Sequence, residues 1–319
     1  MTHSAVLRGP GFVAPTTHWE LERVVDELRQ TRAQWRQAHH RNTLEEYAFP
    51  SRGALARIVT ALATALYPMR LGPSHVRKEN EDFYVGLTLD TALTELLQQV
   101  RIELTFTSSQ SGVRAGDGEQ MATGIIQRFA AGLPEVRRLI DLDVDAAYHG
   151  DPAAHSVDEV LLCYPGVIAL LHYRFAHALF CLGVPLLARA ISELAHAETG
   201  IDIHPGAHIA GSFFIDHGTG VVIGETAIIG EHVRIYQAVT LGAKSFPRDG
   251  SGRLKKGAPR HPIIEDHVVI YAGATLLGRI TIGRGSTIGG NVWLTHSVPP
   301  NSHVTQANTQ QEHNDGSGI

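Results

Sequence analysis

Large aliphatic side chains recur at every sixth position through the C-terminal part of the chain: Ile264, Ile270, Leu276, Ile282, Ile288 and Leu294. An earlier run keeps the same spacing, with Ile203, Ile209 and Ile215, then Ile223, Ile229, Ile235 and Leu241. A helix returns a side chain to one face about every 3.6 residues and a strand every second residue, so neither gives six. A hexapeptide repeat does. Each six residues form one short strand and one corner of a parallel β-helix, and stacked coils bury the aliphatic residue of each hexad in a continuous apolar column. Gly224, Gly230, Gly242, Gly283 and Gly289 each follow an inward residue, and the pattern places them at tight corners.

Upstream the period changes to that of helices. Leu21, Val24, Val25 and Leu28 form one apolar stripe; Leu55, Ile58, Val59, Leu62 and Leu66 form a second, ended by Pro68. A third helix is predicted from Leu87 to Phe106 and a short fourth from Met121 to Phe129, with a Ser/Gly-rich loop at 108–119 between them. Ser156 and Glu159 make a capping box before Val160, Leu161 and Leu162. Helices are predicted from about Val167 to Leu182 and from Pro185 to about Ala197, closed by Gly183 and by Thr199-Gly200. The expected fold class is α+β, an α-helical N-terminal domain followed by a left-handed parallel β-helix. The expected divisions are a flexible arm over 1–17, helices over 18–200, the coil over 201–300 and a flexible tail over 301–319.

Two interruptions of the six-residue period mark where chemistry is expected. Ile215 to Ile223 spans eight residues, and the surplus falls in the polar, Gly-rich segment Asp216-His217-Gly218-Thr219-Gly220. Leu241 to Ile264 spans twenty-three, so a long loop leaves the coil there and ends in Arg260-His261-Pro262. Insertions into solenoids map to binding loops, which makes two histidines beside two irregularities on a rigid frame a candidate active site.

Composition narrows the classes. A net charge of −5 gives no basic footprint for nucleic acid. The most apolar stretch, Val160 to Leu187, is broken by Pro165, Gly183 and Pro185 and carries His172, Arg174 and His177, which a bilayer span would avoid. The opening residues lack the basic-then-apolar order of a signal peptide, so a cytoplasmic location is expected. Cys163 and Cys181 lie in apolar helical surroundings and are expected as buried, reduced thiols. The flat faces and strand edges of such a coil call for burial between copies, so a homotrimer or a dimer of trimers is expected, with ligand sites between subunits.

Several segments in order, Ile201-Asp202-Ile203-His204-Pro205, Asp216-His217-Gly218-Thr219-Gly220, Gly224-Glu225-Thr226-Ala227, Val239-Thr240-Leu241-Gly242 and Arg260-His261-Pro262, resemble serine O-acetyltransferases. The resemblance takes in Asp151-Pro152-Ala153 and Gly166 to Phe175 and covers about residues 148 to 300. It implies transfer of acetyl from acetyl-CoA to the hydroxyl of L-serine, with acetyl-CoA as co-substrate and no tightly bound cofactor or metal. It makes His217 the general base, oriented by Asp202, with His261 a second substrate-side histidine. Asp151 and Asp216 match the acids that hold the serine ammonium, and Arg260 suits its carboxylate. Gly242, Ala272 and Gly290 are candidate backbone contacts for CoA, because small residues permit close approach. Lys244, Arg248, Arg253, Lys255, Lys256 and Arg260 form a basic loop, either a solvated surface or a contact for CoA phosphates. The same resemblance implies L-cysteine as feedback inhibitor, and a complex with O-acetylserine sulfhydrylase through the terminal Ile319.

Three other functions fit the coil alone. His204, His208, His232, His267 and His296 would suit a trimeric zinc enzyme of the carbonic anhydrase type, although the Asp-His-Gly-Thr-Gly and Arg-His-Pro segments have no role there. The same acetyl chemistry could serve another acceptor such as a sugar amine, or the coil could be a non-catalytic scaffold.

Overall fold

The computed structural model describes residues 19–38, 49–111, 118–245, 250, 252–254 and 257–306. The arm over 1–17, the loop residues Arg248, Lys255 and Lys256, and Ile319 lie outside the described residues. The chain divides into two compact units, Met1–Tyr47 and Ala48–Ile319. The first contains α1 (Leu21–Ala38), none of whose residues is buried.

In the second unit, α2 (Arg52–Leu66) starts at Ser51, whose hydroxyl accepts the Ala54 N–H. α3 (Glu81–Ser111) and α4 (Gly118–Gly150) follow. The short helix expected over Met121 to Phe129 is thus only the first part of α4, which runs through Pro134 to Gly150. Burial explains the continuation: Phe129, Leu133, Val136, Ile140, Val144 and Ala147 recur at spacings of three and four on one buried face. Their packing outweighs the one hydrogen bond a proline removes.

α5 (Val157–Cys163) is capped by Ser156, whose hydroxyl accepts the Glu159 N–H. α6 (Pro165–Cys181) and α7 (Pro185–Thr199) both begin with proline. α7 has no side-chain cap of its own; the buried Glu103 of α3 accepts the N–H groups of Leu186 and Leu187 instead. The two cysteines are free but exposed, not buried as expected, because each sits at the solvent side of its helix end.

From Asp202 the chain coils through fourteen short strands among the described residues: β1 (Asp202–Ile203), β2 (His208–Ile209), β3 (Phe214–Ile215), β4 (Val222–Ile223), β5 (Ile228–Ile229), β6 (Arg234–Ile235), β7 (Thr240–Gly242), β8 (Ile263–Ile264), β9 (Val269–Ile270), β10 (Thr275–Leu277), β11 (Thr281–Ile282), β12 (Thr287–Ile288), β13 (Trp293–Leu294) and β14 (His303–Val304). They form three parallel sheets of a left-handed β-helix: β1-β4-β7-β10-β13, β2-β5-β8-β11 and β3-β6-β9-β12-β14. The hexad residues stack in register. Ile203, Ile223, Leu241, Leu276 and Leu294 line the first sheet, and Ile209, Ile229, Ile264 and Ile282 the second. Ile215, Ile235, Ile270 and Ile288 line the third.

A second buried series lies two positions before most of these: Ile201, Ala207, Phe213, Val221, Ala227, Val233, Val239, Val268, Ala274, Ile280, Ser286 and Val292. The glycines that follow the inward residues sit where little room is left for a side chain, as expected. None of Gly224, Gly230, Gly242, Gly283 or Gly289 has positive φ; their requirement is close approach, as at Gly283, where a Cβ would fall 2.3 Å from the Pro300 nitrogen.

A buried ion pair fastens the helices to the first coil. Arg174 of α6 bonds Asp143 of α4 at 2.9 Å with both side chains almost fully excluded from solvent. Arg174 also donates to the carbonyls of Ile209 and Ala210, and Asp143 accepts the Phe213 N–H. Breaking a buried pair from one side leaves the other charge uncompensated. Arg174→Met is therefore expected to lower stability by ~3–5 kcal/mol in chemical denaturation; an unchanged midpoint would contradict this account of the joint.

Candidate active site

The edge between the third and first sheets carries the eight-residue interval. Here the chain swings through left-handed conformations at His217 (φ 58°), Gly218 (86°) and Gly220 (80°). The bulge is held between coils by Gly220 N–H to the Gly200 carbonyl and Ala238 N–H to that of Thr219. It lifts His217 clear of the coil, with 72% of its side chain exposed, and its Nε2 lies 3.7 Å from Oδ1 of Asp216. Asp216 is buried and takes Nη2 of Arg234 on its other oxygen at 2.5 Å.

Asp151, just past α4, joins the same group. It accepts the Tyr164 hydroxyl at 2.5 Å and the Ala153 N–H at 2.8 Å. The Tyr164 and Ala153 hydrogen bonds, then the charges of Arg234 and His217, hold its carboxyl below the usual range. Conversely the hydrogen bond to Asp151, then burial and the Asp151 charge, push the Tyr164 hydroxyl up to about 12, so Tyr164 remains a donor. Asp202 does not reach His217. Its carboxylate faces Arg189 of α7 at 3.6 Å, so the carboxylate nearest His217 is that of Asp216.

The second group occupies the edge between the first and second sheets, where the long loop returns. His261 is 6% exposed, and its Nδ1 accepts the Thr226 N–H at 3.0 Å. That bond leaves the ring proton on Nε2. The ring lies so close to Gly224 that a Cβ there would fall 2.1 Å from it, so Gly224 makes the space His261 fills. Thr226 Oγ1 accepts the N–H groups of both Arg260 and His261. Arg260 reaches Glu225 at 2.7 Å, and Arg279 ties together the carbonyls of Thr226 and His261.

Burial, and next the Arg260 charge, push the His261 ring down to about 4 from 6.5. A depressed histidine is neutral in the fold, while the unfolded chain takes up its proton first as pH falls. The contribution of neutral His261 is thus complete above about pH 6.5 and is lost as pH falls through about 4. His261→Asn, which keeps an acceptor for Thr226, is expected to flatten the acid side of the stability–pH curve across that window. An equally steep curve would contradict the burial of a neutral ring.

Of the residues expected at the site, Asp151, Asp216 and His217 come together on one edge, whereas Arg260 and His261 lie on another. Asp202 sits near the first group without touching His217. Ala272 and Gly290 stand on successive coils at the first edge, Gly290 against the Ala272 carbonyl, while Gly242 ends β7 on the far side of the first sheet. The sequence assigns no role to Tyr164, Arg234 or Arg279, and shows Glu225 and Thr226 only within the segment Gly224-Glu225-Thr226-Ala227. Arg234 had one signal: it is the outward residue paired with Phe214 on the coil below. Glu193, His196 and Asp202 bring possible metal-ligand atoms within 4.8 Å of one another, but Arg189 bonds Glu193 and faces Asp202 there, and the group contains none of the coil histidines.

The hexad coil is that of the hexapeptide transferases, and residues 261–296 match the family described as "Bacterial transferase hexapeptide (six repeats)". A curated protein of Synechococcus elongatus named "Serine acetyltransferase, plasmid" is 53% identical over 94% of this chain and 95% of its own length. The crystal structure of Entamoeba histolytica serine acetyltransferase 1 in complex with L-cysteine is 38% identical, with a TM-score of 0.66 over 78% of this chain and 86% of that one. A serine acetyltransferase solved as a complex with CoA is 26% identical, with a TM-score of 0.50 over 77% and 94%. The chain belongs to the serine acetyltransferase family and is an acyltransferase enzyme.

Proposed function

We propose that the protein transfers the acetyl group of acetyl-CoA to the hydroxyl of L-serine, giving O-acetyl-L-serine and CoA. The observation that carries this reading is the raised, exposed His217 beside two acidic side chains, Asp151 and Asp216. A serine hydroxyl is a weak nucleophile until a base takes its proton. His217 accepts that proton as the oxygen attacks the thioester carbonyl; the tetrahedral centre then collapses, the carbon–sulfur bond breaks, and CoA thiolate recovers a proton from the imidazolium. Asp216, facing Nε2 of His217, and Asp202, one coil below, are the carboxylates available to stabilise the imidazolium. Asp151 and Asp216 attract the substrate ammonium. Arg260 and the Nε2–H of His261 suit its carboxylate, Arg260 with part of its fork held by Glu225.

These roles require both groups around one serine, and in one chain they sit on different edges of a three-sided prism. A homotrimer about an axis parallel to the coil brings the edge of one copy against the neighbouring edge of the next, so each site is built from two copies. The thioester arm then runs past Gly242, Ala272 and Gly290 between subunits. Two linked proposals follow from the chemistry of the ligands. L-Cysteine shares the ammonium and carboxylate of L-serine and competes for Asp151, Asp216 and Arg260. The terminal Ile319 carboxylate imitates that of O-acetylserine in the sulfhydrylase that consumes it. No described helix is long and apolar enough to cross a membrane, which suits a cytoplasmic setting.

Thiol release from acetyl-CoA, followed with L-serine and with an amino sugar as acceptors, tests the reading. Release with L-serine that survives EDTA is expected. A preference for the amino sugar, or loss with EDTA restored by zinc, would replace it with one of the other functions.

A further inference from the structure

Arg234 stands between the two acids of the first group and makes no contact that the reaction itself calls for. Its Nη2 bonds Asp216 at 2.5 Å and its Nη1 bonds the Gly150 carbonyl at 2.8 Å. The guanidinium carbon lies 4.8 Å from the Phe214 ring centre and 4.7 Å from that of Tyr236, and Tyr236 stacks on Tyr271 of the coil above at 5.1 Å. Two aromatic rings within cation–π range restrain the fork, and two different acceptors fix its direction. A Cβ at Gly150 would fall 2.9 Å from the Phe214 ring and 3.9 Å from Nη1 of Arg234, so the missing side chain lets the ring and the fork lie close to this part of the backbone.

We propose that Arg234 is the positioning residue of the ammonium-binding pair: it aims the Asp216 carboxylate at His217, and by holding the Gly150 carbonyl it sets the direction of Asp151, the next residue. The proposal rests on the serine reading of the site given above. It also assigns a charge. Asp151 and Asp216 with Arg234 between them carry one net negative charge, the complement of one ammonium. Without the guanidinium the Asp151 carboxyl loses one of the charges that hold it low and keeps a proton to higher pH. The other groups facing these carboxylates are Tyr164 on Asp151, His217 beside both, and Tyr236 against Arg234.

Arg234→Met and Arg234→Lys separate this role from simple support of the fold. With correct assembly verified by solution mass, Arg234→Met is expected to raise the L-serine KM about tenfold or more while the acetyl-CoA KM changes by less than about twofold. Its serine KM should also climb as pH is lowered through the weakly acidic range, more steeply than in the parent. Arg234→Lys keeps a charge without the planar fork and should fall between the two. A serine KM and pH profile equal to the parent's would overturn the proposal. So would equal losses toward both substrates in both variants, which signify general damage. A parent that binds L-serine without turnover is read by its binding constant in place of KM, with the same expectation. A parent that neither binds nor acetylates L-serine overturns the site reading as well, whatever the variants do.

Discussion

His217→Ala is expected to lower turnover by ~10²–10⁴, the range for loss of a general base. The raised position of the ring makes the effect specific. With 72% of the side chain outside the coil, its removal opens no cavity, although His217 itself has a left-handed backbone (φ 58°) that alanine adopts at a small cost. Acetyl-CoA binding and thermal stability should therefore be nearly unchanged, and steady-state kinetics beside a ligand-binding isotherm read the two separately. Near-normal turnover would remove His217 from the chemistry. The carboxylate contacts add a comparison: Asp216→Asn should cost more turnover than Asp202→Asn if the 3.7 Å neighbour is the one that stabilises the imidazolium. The reverse order would restore Asp202 to the role the family resemblance gives it.

The second large effect is recovery of activity from two inactive chains. If each site takes His217 from one copy and Arg260 from the next, His217→Ala and Arg260→Ala lie on opposite sides of every interface. Each variant alone is expected to be strongly impaired. Co-expressed in equal amounts and assembled at random, the two should form roughly a quarter of interfaces with both native halves, and activity should return in proportion. Mixed trimers verified by mass spectrometry but without recovered turnover would contradict a site shared between copies.

Much of this architecture was legible from spacing alone. Ile and Leu at six-residue intervals predicted the columns that stack in register, because only a strand-and-corner unit repeats at that distance. The companion column escaped because its members are smaller and more varied: Ala207, Ala227 and Ala274 carry little hydrophobic signal, and Ser286 none. α4 was cut short for a related reason. Gly124, Gly132 and Pro134 lower local propensity, whereas its continuity comes from tertiary burial of Phe129, Leu133 and Ile140. The cysteines were misjudged because apolar neighbours in sequence do not say which side of a helix a residue takes.

The two breaks in period mark the irregular backbone that carries His217 and His261. Spacing could not tell that they occupy different edges, since the long loop hides which sheet the chain rejoins. Nor could it foresee the partners. Tyr164 meets Asp151 from the far end of the short helix α5, and Thr226 meets His261 from the coil below the long loop, contacts between residues 13 and 35 positions apart that the six-residue spacing does not encode.

The most direct test of the central claim is the identity of the product. Purified protein incubated with acetyl-CoA and L-serine should release thiol in step with an acetylated serine that hydroxylamine cleaves, as an ester is cleaved. Thiol release without such an ester, an amide in its place, or no release at all would contradict transfer to the serine hydroxyl.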